Sequence, residues 1–264
     1  MMWRPFWVLI ERELMRMVRQ RGRLVSALVR PLIWLLVIGT GYDAILGRVG
    51  PHGYPHFLAP GLLGMVMLFG AMLVSLSVVY DKEFGVMRLL IVAPFPHYWV
   101  VLAKTLSAAV VGAVQAAVFA LLLAIMGYVG GEASLILLLI GLIMTALTCA
   151  SLGMVVAVWS ETLDNFAVIM NFVIFPVFFL SGALYPVHKL PDVLKFVAAL
   201  NPFTYGVDLL KHALVGGLVP PLGADFGVSV DVAVLLGFTI VATLVACVRF
   251  SHESAAGLLD FLQG

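Results

Sequence analysis

Six histidines (His52, His56, His97, His188, His212 and His252), two cysteines (Cys149 and Cys247) and the close acidic pair Glu161 and Asp164 carry side chains suited to metal ligation, nucleophilic attack or proton transfer. Only His52 and His56 stand at ligand-pair spacing, and they flank Gly53-Tyr54-Pro55, which reads as a turn, so no metal site is expected. Both cysteines lie far apart inside apolar runs, where they act as small apolar side chains rather than as a disulfide or a zinc knuckle. Glu161 and Asp164 sit in a tight polar turn and read as solvated or helix-capping groups rather than as a catalytic pair. The Gly-x4-Gly-Lys-[Ser/Thr] loop that cradles nucleotide phosphates is absent, so ATP binding by that route is not expected. The sequence therefore offers no catalytic residue and no cofactor of its own.

The elements that hold these residues are apolar. Hydrophobic residues make up 63% of the 264 positions and charged ones 11%, with a mean hydropathy of +1.13. A water-exposed surface needs about a quarter of its residues charged, and lipid removes that demand. Net charge is +1, which excludes a strongly basic nucleic-acid binder. Stretches long enough to cross the hydrocarbon core, which takes about 20 residues in a helix, predict six spans at 29–47, 57–79, 104–128, 134–158, 165–184 and 230–249. Runs such as Leu135-Ile136-Leu137-Leu138-Leu139-Ile140 do not alternate, which excludes a membrane barrel. The expected fold class is all-α: one polytopic domain over 1–264, with an interfacial helix over 1–28, six spans within 29–249 and a cytoplasmic tail over 250–264.

Eleven of the 15 Lys and Arg residues fall on one side when the N-terminus is placed in the cytoplasm, so both termini are expected inside. Seven of them are arginines within the first 30 residues. On a helical wheel Trp3, Trp7, Ile10, Leu14 and Met17 share one face, opposite Arg4, Arg12, Arg16, Arg19 and Arg23. That pattern predicts a helix lying in the membrane interface, with Trp3 and Trp7 in the acyl boundary and Arg12, Arg16 and Arg19 at anionic headgroups.

No Asp, Glu, Lys or Arg falls in the middle of a predicted span, and Asp43 and Asp231 lie near outer ends. Ion-driven transporters keep such groups near the midplane, so any pumping here draws its energy from elsewhere. The mid-span polar residues Ser75, Ser77, Gln115, Thr145, Thr148, Ser151 and Asn171 are suited to bridging helices, with Gln115 and Asn171 also suited to lining a path.

The segment between the second and third spans runs Tyr80-Asp81-Lys82-Glu83-Phe84-Gly85-Val86-Met87-Arg88-Leu89-Leu90-Ile91-Val92-Ala93-Pro94. Acidic residues early, Arg88 late, Met87, Leu90 and Ile91 on one face and Pro94 as a stop predict a short amphipathic helix at the cytoplasmic surface. Beyond the fifth span, Pro176, Ser181, Gly182, Pro186, Leu190, Pro191, Asn201, Pro202 and Tyr205 punctuate an apolar segment. Asp192 to Leu200 reads as a short amphipathic helix able to re-enter the outer leaflet, and a second short helix follows at about 203–215. Gly182 reads as a point of close backbone approach.

These two segments resemble the type-2 ATP-binding-cassette exporter permeases. Glu83, Gly85, Leu89 and Pro94 match that family's cytoplasmic helix, and Lys104 matches the basic residue that often opens its third span. Val86 and Met87 stand where the family often has Thr and an acidic residue. The Pro, Ser-Gly, Pro, Leu-Pro and Asn-Pro series of the outer segment matches as well. The resemblance implies that Glu83, Phe84, Gly85, Met87, Arg88, Leu89 and Pro94 form a coupling helix that docks on a separate ATPase subunit. It further implies an outer gate at Pro176, Ser181, Gly182, Pro186, Pro191, Asn201 and Pro202.

The implied assembly is a permease dimer, a homodimer or a pair with a similar subunit, in the bacterial inner membrane. Two ATPase subunits would bind ATP and Mg, and an amphipathic or large substrate (lipid, lipid-linked glycan, polysaccharide or drug) would move outward. The competing readings are a secondary transporter or channel, a membrane-embedded enzyme acting on lipid, and a non-transporting membrane subunit of an export complex.

Overall fold

Long apolar runs with no alternation leave the backbone only its own segment as hydrogen-bond partner, and they fold as helices. The structure, a computed structural model, describes residues 7, 8, 10–12, 14, 15, 19, 21–46, 53–86, 96, 98–129, 133–215 and 223–263. Among the described residues there is no strand. The helices are α1 (Arg21–Trp34), a π-helical turn (Leu35–Gly39), α2 (Thr40–Leu46), α3 (Tyr54–Glu83), α4 (Tyr98–Ile125), α5 (Leu135–Trp159), α6 (Leu163–Phe179), α7 (Asp192–Leu200), α8 (Pro202–Val215) and α9 (Val228–Gln263), with a 3₁₀ turn at Val187–Lys189.

Among the described residues, five segments are long and apolar enough to cross a membrane: Ala27–Ile45, Tyr54–Glu83, Tyr98–Ile125, Leu135–Trp159 and Val228–His252. The predicted fifth span, 165–184, is shorter than expected. Helix α6 has 17 residues, about 25 Å at about 1.5 Å per residue. It stops at Phe179 because Leu180 caps the helix by donating to Phe178 and Pro176 carbonyls, and Gly182 follows at φ +74°. After it, α7 and α8 meet at a bend of 88° across Asn201.

Helix α3 is the central post: 83% of its apolar window is buried, against 22% for that of α9 and 17% for Ala27–Ile45. It packs against α4, α5, α8, α6 and α1. Its start is set by Asp43, whose Oδ1 accepts the Tyr54 N–H at 3.0 Å, with Pro55 in the first turn. Thr148 to Thr239 (3.1 Å) and Ser151 to Thr243 (3.0 Å) tie α5 to α9, the helix-bridging role expected of mid-span hydroxyls. Asn171 instead donates to the Ala167 carbonyl of its own helix. Gln115 is buried against Gly70, with its Oε1 unpartnered.

The peripheral faces stay apolar and open. Phe172, Phe175 and Phe179 on α6 and Ile240, Val241, Leu244 and Val248 on α9 are exposed. Water would charge heavily for that surface and acyl chains do not.

Candidate functional site

Three consecutive residues end α3, and each fastens a different neighbour. Asp81 accepts from Lys104 Nζ at 2.6 Å and from Arg12 at 3.1 Å. Lys82 Nζ donates to the Val158 carbonyl at 2.6 Å, at the C-terminal end of α5. Glu83 Oε2 accepts the Leu163 N–H at 2.8 Å, at the N-terminal end of α6. A cation thus sits on the carbonyl end of α5 and an anion on the amide end of α6, the arrangement both helix dipoles favour. Thr162, rather than Glu161 or Asp164, provides α6 with its side-chain cap, accepting the Asn165 N–H at 3.2 Å. Glu161 and Asp164 are exposed.

Several expectations change here. Asp81 and Glu83 belong to the last turn of α3 rather than to the start of a separate loop helix. Phe84 closes α3 by donating to the Tyr80 carbonyl at 3.1 Å, Gly85 takes φ +74°, and helical backbone resumes at Val86. Met87, Arg88, Leu89 and Pro94 lie outside the described residues. Lys104 does not open its helix. Helix α4 begins at Tyr98, so Lys104 lies in its second turn, buried beneath Asp81 and also donating to Ser77 Oγ at 3.1 Å. The charge is tolerated because its partners come from α3, a pairing no local reading reveals.

The N-terminal segment also departs from a purely interfacial helix. It is helical at every described position from 7 to 19. Ile10, expected among acyl chains, is buried against Ala103, with Leu14, Trp99 and Leu102 around it. Arg12, expected at headgroups, reaches Asp81 while its side chain stays 42% exposed. Trp7 and Arg19 are exposed, and Trp3 and Arg16 lie outside the described residues.

A second polar assembly occupies the far end of α3, about 40 Å away along its axis. Asp208 on α8 accepts the backbone N–H of Asp225 at 2.7 Å and of Phe226 at 2.8 Å. Asp225 in turn accepts the Val187 and His188 N–H groups (3.1 and 3.0 Å), His188 Nδ1 at 2.7 Å and Lys211 Nζ at 3.2 Å. Burial pushes the Asp225 carboxyl up, but the Lys211 ammonium and the His188 and Val187 bonds outweigh it and hold the group below the usual carboxylate range. Lys211 is buried, with its ammonium 5.0 Å from the centre of the Phe57 ring. The Asp208, Lys211 and His212 spacing on one helix face was available in the sequence; their partners at 225 and 231 were not.

Of the expected gate residues, Gly182 lies beside Lys211, and Pro186 precedes Val187, whose N–H meets Asp225. Asn201 Nδ2 donates to the Val177 carbonyl at 2.7 Å, and its Oδ1 accepts the Phe203 N–H at 3.1 Å, so one side chain pins α6 and starts α8. Ser181 Oγ donates to the Phe178 carbonyl at 2.7 Å. Gly182 is held by its φ, with Val187 Cγ2 only 2.7 Å from where a Cβ would stand; the close backbone approach expected there occurs one residue on, at Ala183 against Gly61. Pro186 is buried, Pro202 is partly buried as the first residue of α8, and Pro176 and Pro191 are exposed. Helix α7 carries Val193, Phe196 and Leu200 outward.

Residues 4–215 match the family model described as ABC-2 type transporter. The chain belongs to the ABC-2 type transporter family. Nodulation protein J of Rhizobium leguminosarum bv. trifolii is 31% identical over 195 residues, covering 73% of this chain and 74% of that protein. Putative transport permease ycf38 of Cyanophora paradoxa is 24% identical over 209 residues (78% and 72%). Inner membrane transport permease YadH of Escherichia coli K12 is 23% identical over 231 residues (85% and 90%). Membership in this ABC-2 family, with several long apolar helices among the described residues, makes the chain a multi-pass membrane protein of the transport-permease class.

Proposed function

We propose that the chain is the transmembrane permease subunit of an ATP-binding-cassette exporter, powered by a separate ATPase that binds ATP and Mg. The observation that carries this reading is the clasp at Asp81, Lys82 and Glu83. The side chains of this short stretch of backbone grip α4, α5, α6 and the N-terminal helix. A push delivered by a docked ATPase to residues 84–94 would therefore reach four elements at once, as rigid bodies rather than through a flexible loop. In this reading Glu83, Phe84, Gly85, Met87, Arg88, Leu89 and Pro94 make the coupling contact, and Phe84, 58% exposed beside Gly85, is its first apolar knob.

The permease works as a dimer of this chain or with a similar one, in the inner membrane of a bacterium, with both termini in the cytoplasm. It counts six spans, α6 being the short fifth. The exposed Phe172, Phe175 and Phe179 face of α6 supports a partner or acyl chains against it. The α7–α8 pair, bent by 88°, re-enters the outer leaflet and forms the gate with Pro176, Ser181, Gly182, Pro186, Pro191, Asn201 and Pro202. The cargo is amphipathic or large: a lipid, a glycan on a lipid carrier, a polysaccharide or a drug.

The test pairs the chain with its ATPase in proteoliposomes. Glu83→Ala and Leu89→Ala should abolish cargo-stimulated ATP hydrolysis and export while the complex still assembles. Unchanged stimulation in both variants, or gradient-driven flux with no ATPase present, would overturn the proposal.

A further inference from the structure

We propose that Asp208, His212 and Asp231 form a divalent-cation site that joins α8 to the first turn of α9 and takes an ion of the zinc–manganese class. Each side chain offers one ligand atom, and these atoms all lie within 4.8 Å of one another. His212 Nε2 stands 3.9 Å from Asp208 Oδ2 and 3.9 Å from Asp231 Oδ2.

The independent sign of a ligand is Asp231. Its side chain is 0% exposed, yet neither carboxylate oxygen has a hydrogen-bond partner. A carboxylate withdrawn from water and left unbonded is costly, so such groups meet a cation or a proton. The neighbouring lysine does not serve it. Lys211 Nζ goes to Asp225 at 3.2 Å and lies 3.8 Å from Asp208 Oδ1.

The ligand chemistry narrows the ion. Two carboxylate oxygens and one imidazole nitrogen make a mixed oxygen and nitrogen set without thiolate. Such a set suits zinc or manganese over copper(I), and magnesium is disfavoured because it keeps its waters. Ligand atoms on an ion at about 2.0–2.2 Å stand closer together than these three do, so the His212 ring and the two carboxylates must close in by about 1 Å. The His212 side chain is 15% exposed, which gives both that freedom and an entry path. In this structure Nε2 donates its proton to the Phe226 carbonyl at 2.8 Å, so ligation requires the tautomer with the proton on Nδ1 and exchanges that hydrogen bond for the bond to the ion. Asp208 is already oriented by the Asp225 and Phe226 amides, the kind of outer support that fixes a metal ligand.

The site stands independently of the permease reading, because binding needs no ATPase and no cargo. The full chain, purified in nanodiscs and stripped with EDTA, is titrated with ZnCl2, MnCl2 and MgCl2, with equilibrium dialysis for stoichiometry and thermal unfolding as a second readout. One zinc or manganese should bind per chain and raise the unfolding temperature. Asp231→Asn and His212→Gln should each weaken binding by about tenfold or more, while Asp164→Asn, on an exposed residue at the other end of the bundle, should leave it unchanged. A stripped wild type that binds no stoichiometric ion overturns the proposal, as does equal binding by Asp231→Asn or a magnesium response equal to that of zinc. If the variants fail to accumulate, X-ray absorption on zinc-loaded wild type decides. An oxygen and nitrogen shell with one imidazole supports the site; a shell with sulfur or without imidazole overturns it.

Discussion

Cutting the Asp81–Lys104 pair one partner at a time should give unequal penalties that do not add. The two side chains are 4% and 2% exposed and 2.6 Å apart, so each neutralises a charge the other cannot leave buried. Asp81→Asn takes the carboxylate partner away from the buried Lys104 ammonium, which still donates to the Ser77 hydroxyl at 3.1 Å, and should cost about 3–5 kcal/mol. Lys104→Met leaves Asp81 facing Arg12 at 3.1 Å; because Arg12 is 42% exposed its compensation is screened, and the cost should be about 1–3 kcal/mol. The double variant removes both charges together and should be more stable than Asp81→Asn alone, since a buried pair exchanged for neutral groups of similar volume is close to neutral. The coupling energy should then reach about 2 kcal/mol or more, within the range for groups in direct contact. The assay is reversible unfolding of the purified chain in mixed micelles, run on the four proteins of the cycle. Single costs that sum to the double within about 0.5 kcal/mol would refute the claim that the pair is one electrostatic unit.

At the other end, Gly182→Ala should destabilise by about 1–2 kcal/mol from the left-handed backbone alone, and more from contact with Val187 Cγ2. Val187→Ala in the same chain should recover the steric part, and a thermal unfolding series separates the two; no loss in the single variant contradicts the φ of +74°. Asn201→Ala removes the bond to the Val177 carbonyl and the cap on Phe203, and should cost about 1–3 kcal/mol in the same unfolding assay. Lys189→Cys, on an exposed turn, should react with an impermeant maleimide added to intact cells; labelling only after lysis would invert the proposed orientation.

The periodic part of the fold was legible from residue types. The run at Leu135–Trp159 and the one opened by Pro55 could only be long helices, and both stand within a few residues of where the sequence puts them. The Pro and Gly series from Pro176 to Pro202 marked the short elements at Asp192–Leu200 and Pro202–Val215, because those residues act locally on the backbone. Span ends were less legible. Lys104 looked like a boundary because a lone charge is not expected inside lipid, and α6 looked longer than it is because apolar residues continue past its cap.

Local chemistry therefore determined that the chain is helical, threads a membrane several times and carries no nucleotide-binding loop of its own. Tertiary structure alone decided that Asp81 answers Lys104, that Glu83 caps α6, and that Asp208 and His212 face Asp231. Hydropathy and turn chemistry act between near neighbours along the chain. The energy of a buried charge depends on what stands within a few ångströms of it, and here that group comes from a different helix each time.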